Sequence, residues 1–347
     1  MSLYARILAL AASAAFAISA LAIAIPFNPL AYMLRSGLNG SGNPSTQTKP
    51  RLPHRSRVDP QDQQAVDSKP KPGEQFTIYQ NENGEVTCRA ATAAERKQME
   101  AVDAQSLGLR PINHLNSVDK TEGIQPKDAP NLTIVLRGTT QLQQNPAAVA
   151  AFIKAAQNWE DIIKSPITIY IDVDYGPTRF GQSWPSGVLG ATSAPSGSYP
   201  YQSVRNNLIA QAGGEGNATK QAIFNALPGT TVPTDLGDAT STGVSDPAAR
   251  AIGLLPATAQ STDNAAKIAF NSSFTFDFDP SDGITAGQVD FDAVATHEIG
   301  HALGFGSEAG SNIPKPSVWD LYRFRTGITT NTFTAAQRIV TIGGSPD

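Results

Sequence analysis

The stretch Thr296-His297-Glu298-Ile299-Gly300-His301-Ala302-Leu303-Gly304 constrains this chain more than any other. Phe291, Val294, Ala295, Ile299, Ala302 and Leu303 recur at helical spacing, Asp290 and Asp292 are N-cap candidates, and Gly304 supplies a stop. On a helix turning about 100° per residue, His297 and His301 fall about 40° apart on one face, one turn above the other. Two imidazoles so placed can converge on one metal ion. Glu298 projects about 60° beyond His301, near enough to act on a water at that ion but turned away from ligating it. Two neutral nitrogens and a proton-accepting carboxylate are the parts of a hydrolytic zinc site. The alternative is a plain amphipathic helix, and two of only four histidines falling here weigh against it.

His297 to Gly304 followed by Phe305 resembles the zinc-binding helix of metzincin-type metallopeptidases, whose pattern is H-E-x-x-H-x-x-G-x-x-H or D. The resemblance implies an α+β fold: a metzincin-like catalytic domain with a twisted mixed sheet, a long helix and a zinc-binding helix. It implies Zn2+ as cofactor, His297 and His301 as ligands and Glu298 as the catalytic base. Gly304 matches the glycine that turns the chain so that a third ligand can reach the ion. That ligand's usual position holds Ser307, and the methionine turn is missing, since the methionines are Met1, Met33 and Met99.

A third ligand is therefore expected elsewhere. Asp320, in Val318-Trp319-Asp320-Leu321-Tyr322-Arg323-Phe324, follows His301 by a loop and sits among apolar residues, where a carboxylate needs a partner or a metal. Helix capping, or pairing with Arg323 or Arg325, would account for it equally well. Glu308 and a residue beyond Asp347 are the other candidates, because His54 and His114 lie far upstream. Tyr322 reads either as an oxyanion donor or as a packed core tyrosine.

The 347 residues allow one large domain or two small ones. A net charge of -4 and no basic stripe argue against a nucleic-acid partner. Residues 1–25 read as a signal peptide: one positive side chain, then an apolar run from Ile7 to Ile25 with small residues at Ala20, Ala22 and Ala24. Its length is also compatible with an uncleaved membrane anchor. Export would make the protein secreted or periplasmic, with no membrane contact after cleavage, and the lone Cys88 can form no internal disulfide.

Residues 26–75, rich in Pro, Ser, Gln and charge, read as a disordered linker. Residues 76–130 are a candidate propeptide. Within them Phe76-Thr77-Ile78-Tyr79 and Val86-Thr87-Cys88 flank Asn83-Gly84 as a hairpin, and Thr92 with Glu95 forms a capping box for a helix to about Ala104. In some zinc proteases a pro-region thiolate occupies the open metal position, a role compatible with Cys88 although its surroundings lack the motif of matrix metalloproteinase propeptides; the alternative is a small apolar residue in the hairpin.

Residues 131–347 form the expected catalytic domain, with a loop-rich insertion at 194–265. A strand at Leu132–Leu136, a helix from Asn145-Pro146 to about Lys164 and a strand at Ile167–Val173 open it. Val188–Thr192 reads as an edge strand along which an extended peptide could add. Strands at Lys267–Phe270 and Phe274–Phe278 lead to the zinc helix, and helices near Gln202–Gln211 and Lys220–Leu227 punctuate the insertion. Asp277, Asp279 and Asp282 could hold Ca2+ or form a solvated acidic turn. Arg338–Ile342 reads as a strand followed by a turn at the chain end, which suggests a continuation.

The expected activity is that of an exported, monomeric zinc metalloendopeptidase acting on polypeptide substrates. The competing expectations are a catalytically degenerate exported binding protein on a protease fold, and a zinc hydrolase acting on a non-peptide bond.

Overall fold

The computed structural model describes residues 75–81, 84–100, 107–114, 131–234, 237–260, 263–307 and 315–323. The expected signal peptide, nearly all of the linker, Glu308 and the Arg338–Ile342 strand lie outside them, as does the side chain of Tyr322. No helix among the described residues is long and apolar enough to cross a membrane.

The fold is α+β, built on a mixed sheet. The elements in chain order begin with β1 (Gln75–Gln80), β2 (Val86–Ala90), α1 (Ala93–Glu100), β3 (Arg110–Pro111), β4 (Thr133–Gly138), α2 (Thr140–Gln143), α3 (Pro146–Ile162) and β5 (Thr168–Gly176). They continue with β6 (Val188–Ser193), β7 (Ser196–Pro200), α4 (Tyr201–Gly214), α5 (Ala218–Asn225), β8 (Ser241–Ser245), α6 (Asp246–Ala251), β9 (Ala266–Asn271), β10 (Phe276–Asp277), β11 (Val289–Asp290) and α7 (Phe291–Leu303). A 3-10 turn at Val318–Arg323 is the last described element.

Seven strands pair in the order β2-β1-β6-β9-β5-β4-β3. The central β4, β5 and β9 are parallel, which is why all nine residues of β5 are buried; its two buried aspartates, Asp172 and Asp174, are answered by Arg137 and by Thr139 with the Phe180 amide. The remaining pairings in the sheet are antiparallel.

Helix α3 starts where the sequence places it. The Asn145 side chain accepts from the Ala148 amide and Pro146 occupies the first turn, whose amides need no helical partner. Its inner face carries Ala148, Ala151, Ala155 and Ala156 around Phe152, small residues that let the helix lie close over the sheet. Helix α7 packs beside it. Both bury one face in a shared core with Ile134, Leu136, Ile171, Ile268 and Phe270.

Three expectations need correcting. The N-terminal hairpin exists, but its strands pair outwards from Gln80 and Val86 across a five-residue loop, and they extend the main sheet instead of forming a separate unit. Strand β6 is consequently not an edge, because β1 lies along it. The 194–265 insertion is largely regular structure: β7 pairs with β8, while α4, α5 and α6 enclose a second core of Tyr201, Val204, Leu208, Phe224 and Val244 with Trp319 and Leu321. The two helices expected there are α4 and α5; the Gly, Pro and Ser content hid β7, β8 and α6, which are only five or six residues long.

Candidate metal centre

Helix α7 is set by local chemistry at both ends. The Asp290 side chain accepts from the Ala293 amide at its start. At its end Gly304 adopts φ +98°, a left-handed geometry that glycine reaches without strain, and the Phe305 amide returns to the Gly300 carbonyl. The position of α7 is fixed from both sides. Phe291 is fully buried with ring centroids 5.1 Å from Phe152 and 5.0 Å from Phe270, while Trp159 Nε1 donates to the Thr296 carbonyl at 2.8 Å.

The two histidines converge as their spacing predicts. His297 Nε2 and His301 Nε2 stand 3.0 Å apart. Strand β2, which lies 213 positions away in the chain, brings Cys88 Sγ to 3.6 Å from His301 Nε2 and 3.9 Å from Glu298 Oε1. The donor atoms of Cys88, His297, Glu298 and His301 all lie within 4.8 Å of one another.

These spacings can be tested against a metal. With Zn–N near 2.05 Å, Zn–S near 2.3 Å and tetrahedral angles, two nitrogens should lie about 3.3 Å apart and a nitrogen and sulfur about 3.6 Å. The observed pairs match within a few tenths of an ångström. The donor set of two imidazoles and a thiol also suits zinc chemically.

The electrostatics favour ligation. Burial, then the neighbouring His297, pushes the His301 pKa down to about 3, with the bond to Phe305 opposing; burial also lowers that of His297. Both rings are therefore neutral near pH 7. His301 Nδ1 donates to the Phe305 carbonyl at 2.8 Å, which fixes the tautomer and leaves the Nε2 lone pair facing the cluster. The Phe76 ring lies parallel to His301, with centroids 3.7 Å apart.

Glu298 is fully buried, and its Oε2 has no hydrogen-bond partner. Burial pushes its pKa up to about 7; the Thr192 and Cys88 side chains beside it pull the other way, Thr192 without hydrogen-bond geometry. Burial and the Glu298 charge, opposed by Arg89, drive the Cys88 pKa far upward, so without a cation it is a neutral thiol. The cluster thus sets an unpartnered carboxylate oxygen beside a desolvated thiol and two neutral imidazoles.

Asp320 does not join this group. It is fully buried, and its carboxylate accepts from Ser307 Oγ at 2.5 Å, the Ser317 amide at 2.9 Å and Ser317 Oγ at 3.0 Å. Those donors answer the cost of burying the charge, so the environment that suggested a ligand is explained by a loop clamp. Ser307 serves that clamp. Sequence reasoning had offered Cys88 for the metal position beside the alternative of a small apolar hairpin residue, and the structure brings it to the histidines; it missed Phe76, which gave no signal beyond a strand-like apolar pattern.

Two of the three aspartates of the acidic turn are held by backbone amides. Asp277 accepts from the amides of Thr285 and Asp279, and Asp279 from that of Ser281. Comparison of the chain with protein-family models, with curated proteins and with solved structures finds no match to any of them.

Proposed function

We propose that this chain is an exported zinc-dependent endopeptidase of a divergent metzincin-like type, in a state closed by its own N-terminal hairpin. One observation carries the reading: His297 and His301 from α7 and Cys88 from β2 converge beside the fully buried Glu298 carboxylate, whose Oε2 is free, with the His297–His301 and His301–Cys88 spacings close to those of tetrahedral zinc. His297 and His301 would hold the ion, and Cys88 would complete its protein ligands in this state. Zinc there would supply Lewis acidity and lower the pKa of a bound water to about 7.

The residues of the chain supply the remaining steps. Glu298, beside the ion, would accept the proton of the attacking water and deliver it to the leaving amine. Phe305, through its carbonyl, keeps His301 in the ligating tautomer. Cys88 would take up a position on the ion, and its withdrawal would open that position to the attacking water or to another ligand.

Replacing Glu298 with Gln tests this assignment in a background from which the Cys88 thiol has been removed. The expected outcome is one equivalent of zinc, an unchanged circular dichroism spectrum and loss of hydrolysis of an unfolded protein. Full activity in the Glu298→Gln variant would exclude the mechanism. A wild-type chain binding less than about half an equivalent of zinc would favour the degenerate binding protein instead.

A further inference from the structure

Strand β1 occupies the place that a polypeptide substrate needs. It runs antiparallel along β6 with Phe76 opposite Thr192, Thr77 opposite Ala191 and Ile78 opposite Gly190. Strand β6 itself flanks α7, and Thr192 lies beside Glu298. Without β1, the outer amides and carbonyls of β6 would form a bare edge alongside the metal centre, the surface on which an extended peptide adds by main-chain hydrogen bonds.

Two further observations indicate that the occupant can leave. Gln75 and Thr77 are buried on the face of β1 away from α7, yet both polar atoms of the Gln75 amide and the Thr77 hydroxyl lack hydrogen-bond partners. Orphaned polar groups make docking of the strand costly. The polar contacts that organise the hairpin are, by contrast, largely internal. Arg89 pairs with Glu95 at 2.9 Å, Glu95 caps Thr92 at 2.7 Å, Tyr79 bonds Glu95, and the Ala91 amide donates to the Gln75 carbonyl. That network lies within the hairpin and α1, whose side-chain hydrogen bonds to the rest of the fold include those of Gln98 with the Ser183 carbonyl and Arg179.

We propose that β1 is a tethered occupant of the substrate strand position, that the substrate class is an extended polypeptide pairing antiparallel with β6, and that displacement of residues 75–100 opens the site. This rests on the endopeptidase reading. It differs from control by the thiol alone, because removing Cys88 leaves β1 in place and β6 still covered. Phe76, stacked on His301, marks the point of β1 nearest the metal ligands.

The test compares three zinc-loaded full-length chains: wild type, Cys88→Ser, and Cys88→Ser with Ile78→Asp, which puts a charge into the buried face of β1. Amide hydrogen exchange at residues 188–193 and cleavage of an unfolded reporter protein are measured together. Cys88→Ser is expected to keep β6 protected and to cleave slowly. The double variant should lose protection at β6 but not at β5 or β9, and should cleave at least about tenfold faster. A synthetic peptide with the sequence of residues 75–80 should restore protection and slow cleavage. If Ile78→Asp also exposes β5 and β9, Phe76→Ala, which removes only the ring on His301, replaces it.

Equal cleavage by the single and double variants, with β6 still protected, would overturn the proposal. Absence of cleavage in every chain would count against the endopeptidase reading alone. The peptide then decides the strand proposal: renewed protection of β6 supports it, and no change rejects it.

Discussion

Asp320 and Cys88 show how the same residue chemistry can have opposite meanings. Asp320 was a candidate because an acid among apolar residues needs a partner, and Cys88 because a pro-region thiolate can occupy an open metal position. Asp320 satisfies its charge with two serines and a backbone amide, whereas Cys88 faces two imidazoles and a carboxylate. Asp320→Ala should therefore destabilise the protein by about 2–4 kcal/mol, through loss of charge-assisted hydrogen bonds and orphaned serine donors. Urea unfolding read by tryptophan fluorescence measures this. Zinc stoichiometry in the folded variant should stay unchanged; loss of metal from a variant that keeps its fold would return Asp320 to the ligand set.

Among the elements, α7 was the most legible because its signals are local: a capping aspartate, an apolar stripe and a left-handed glycine stop within fourteen positions of one another. What holds it at its place in the fold is not local. Phe291 lies within aromatic contact of Phe152, Phe270, Phe276 and Phe278, which come from α3, β9, β10 and the turn that follows β10. Phe291→Ala should cost about 3–5 kcal/mol, as expected when a fully buried aromatic leaves a cavity. Equilibrium unfolding and zinc titration should show both lower stability and weaker metal binding, since the start of α7 loses its anchor. Unchanged zinc affinity with the full stability loss would mean that the site is insulated from that end of the helix. The β1–β2 hairpin was legible as a hairpin, but its docking on β6 was not.

For the molecule as a whole, stability depends on contacts that tie the segment before β4 to the main core. His114 Nε2 lies 2.9 Å from Glu160 Oε1, and that same oxygen accepts the Ile134 amide, so α3, β4 and the upstream segment meet at one carboxylate. The Glu160 hydrogen bond raises the His114 pKa, with burial opposing it. A raised folded-state pKa makes this contribution complete below the unfolded value near 6.5 and removes it as pH rises through the folded value. A third of the His114 side chain is exposed, so the effect should stay below about 1 kcal/mol. Subtracting the urea stability of His114→Gln from that of wild type should give a difference that shrinks between pH 5.5 and 8.5; a difference independent of pH would rule this linkage out.

The sequence alone determined the secondary structure of α7, the meeting of His297 and His301 with Glu298 beside them, and the strand-helix-strand run of β4, α3 and β5. These depend on spacing within one element, where 3.6 residues per turn and an alternating strand pattern leave little freedom. The sheet order, the occupation of β6 by β1, the arrival of Cys88 at the histidines and the withdrawal of Asp320 into a serine clamp were decided only by tertiary structure. Each depends on which distant segments share a core, and no local periodicity encodes that.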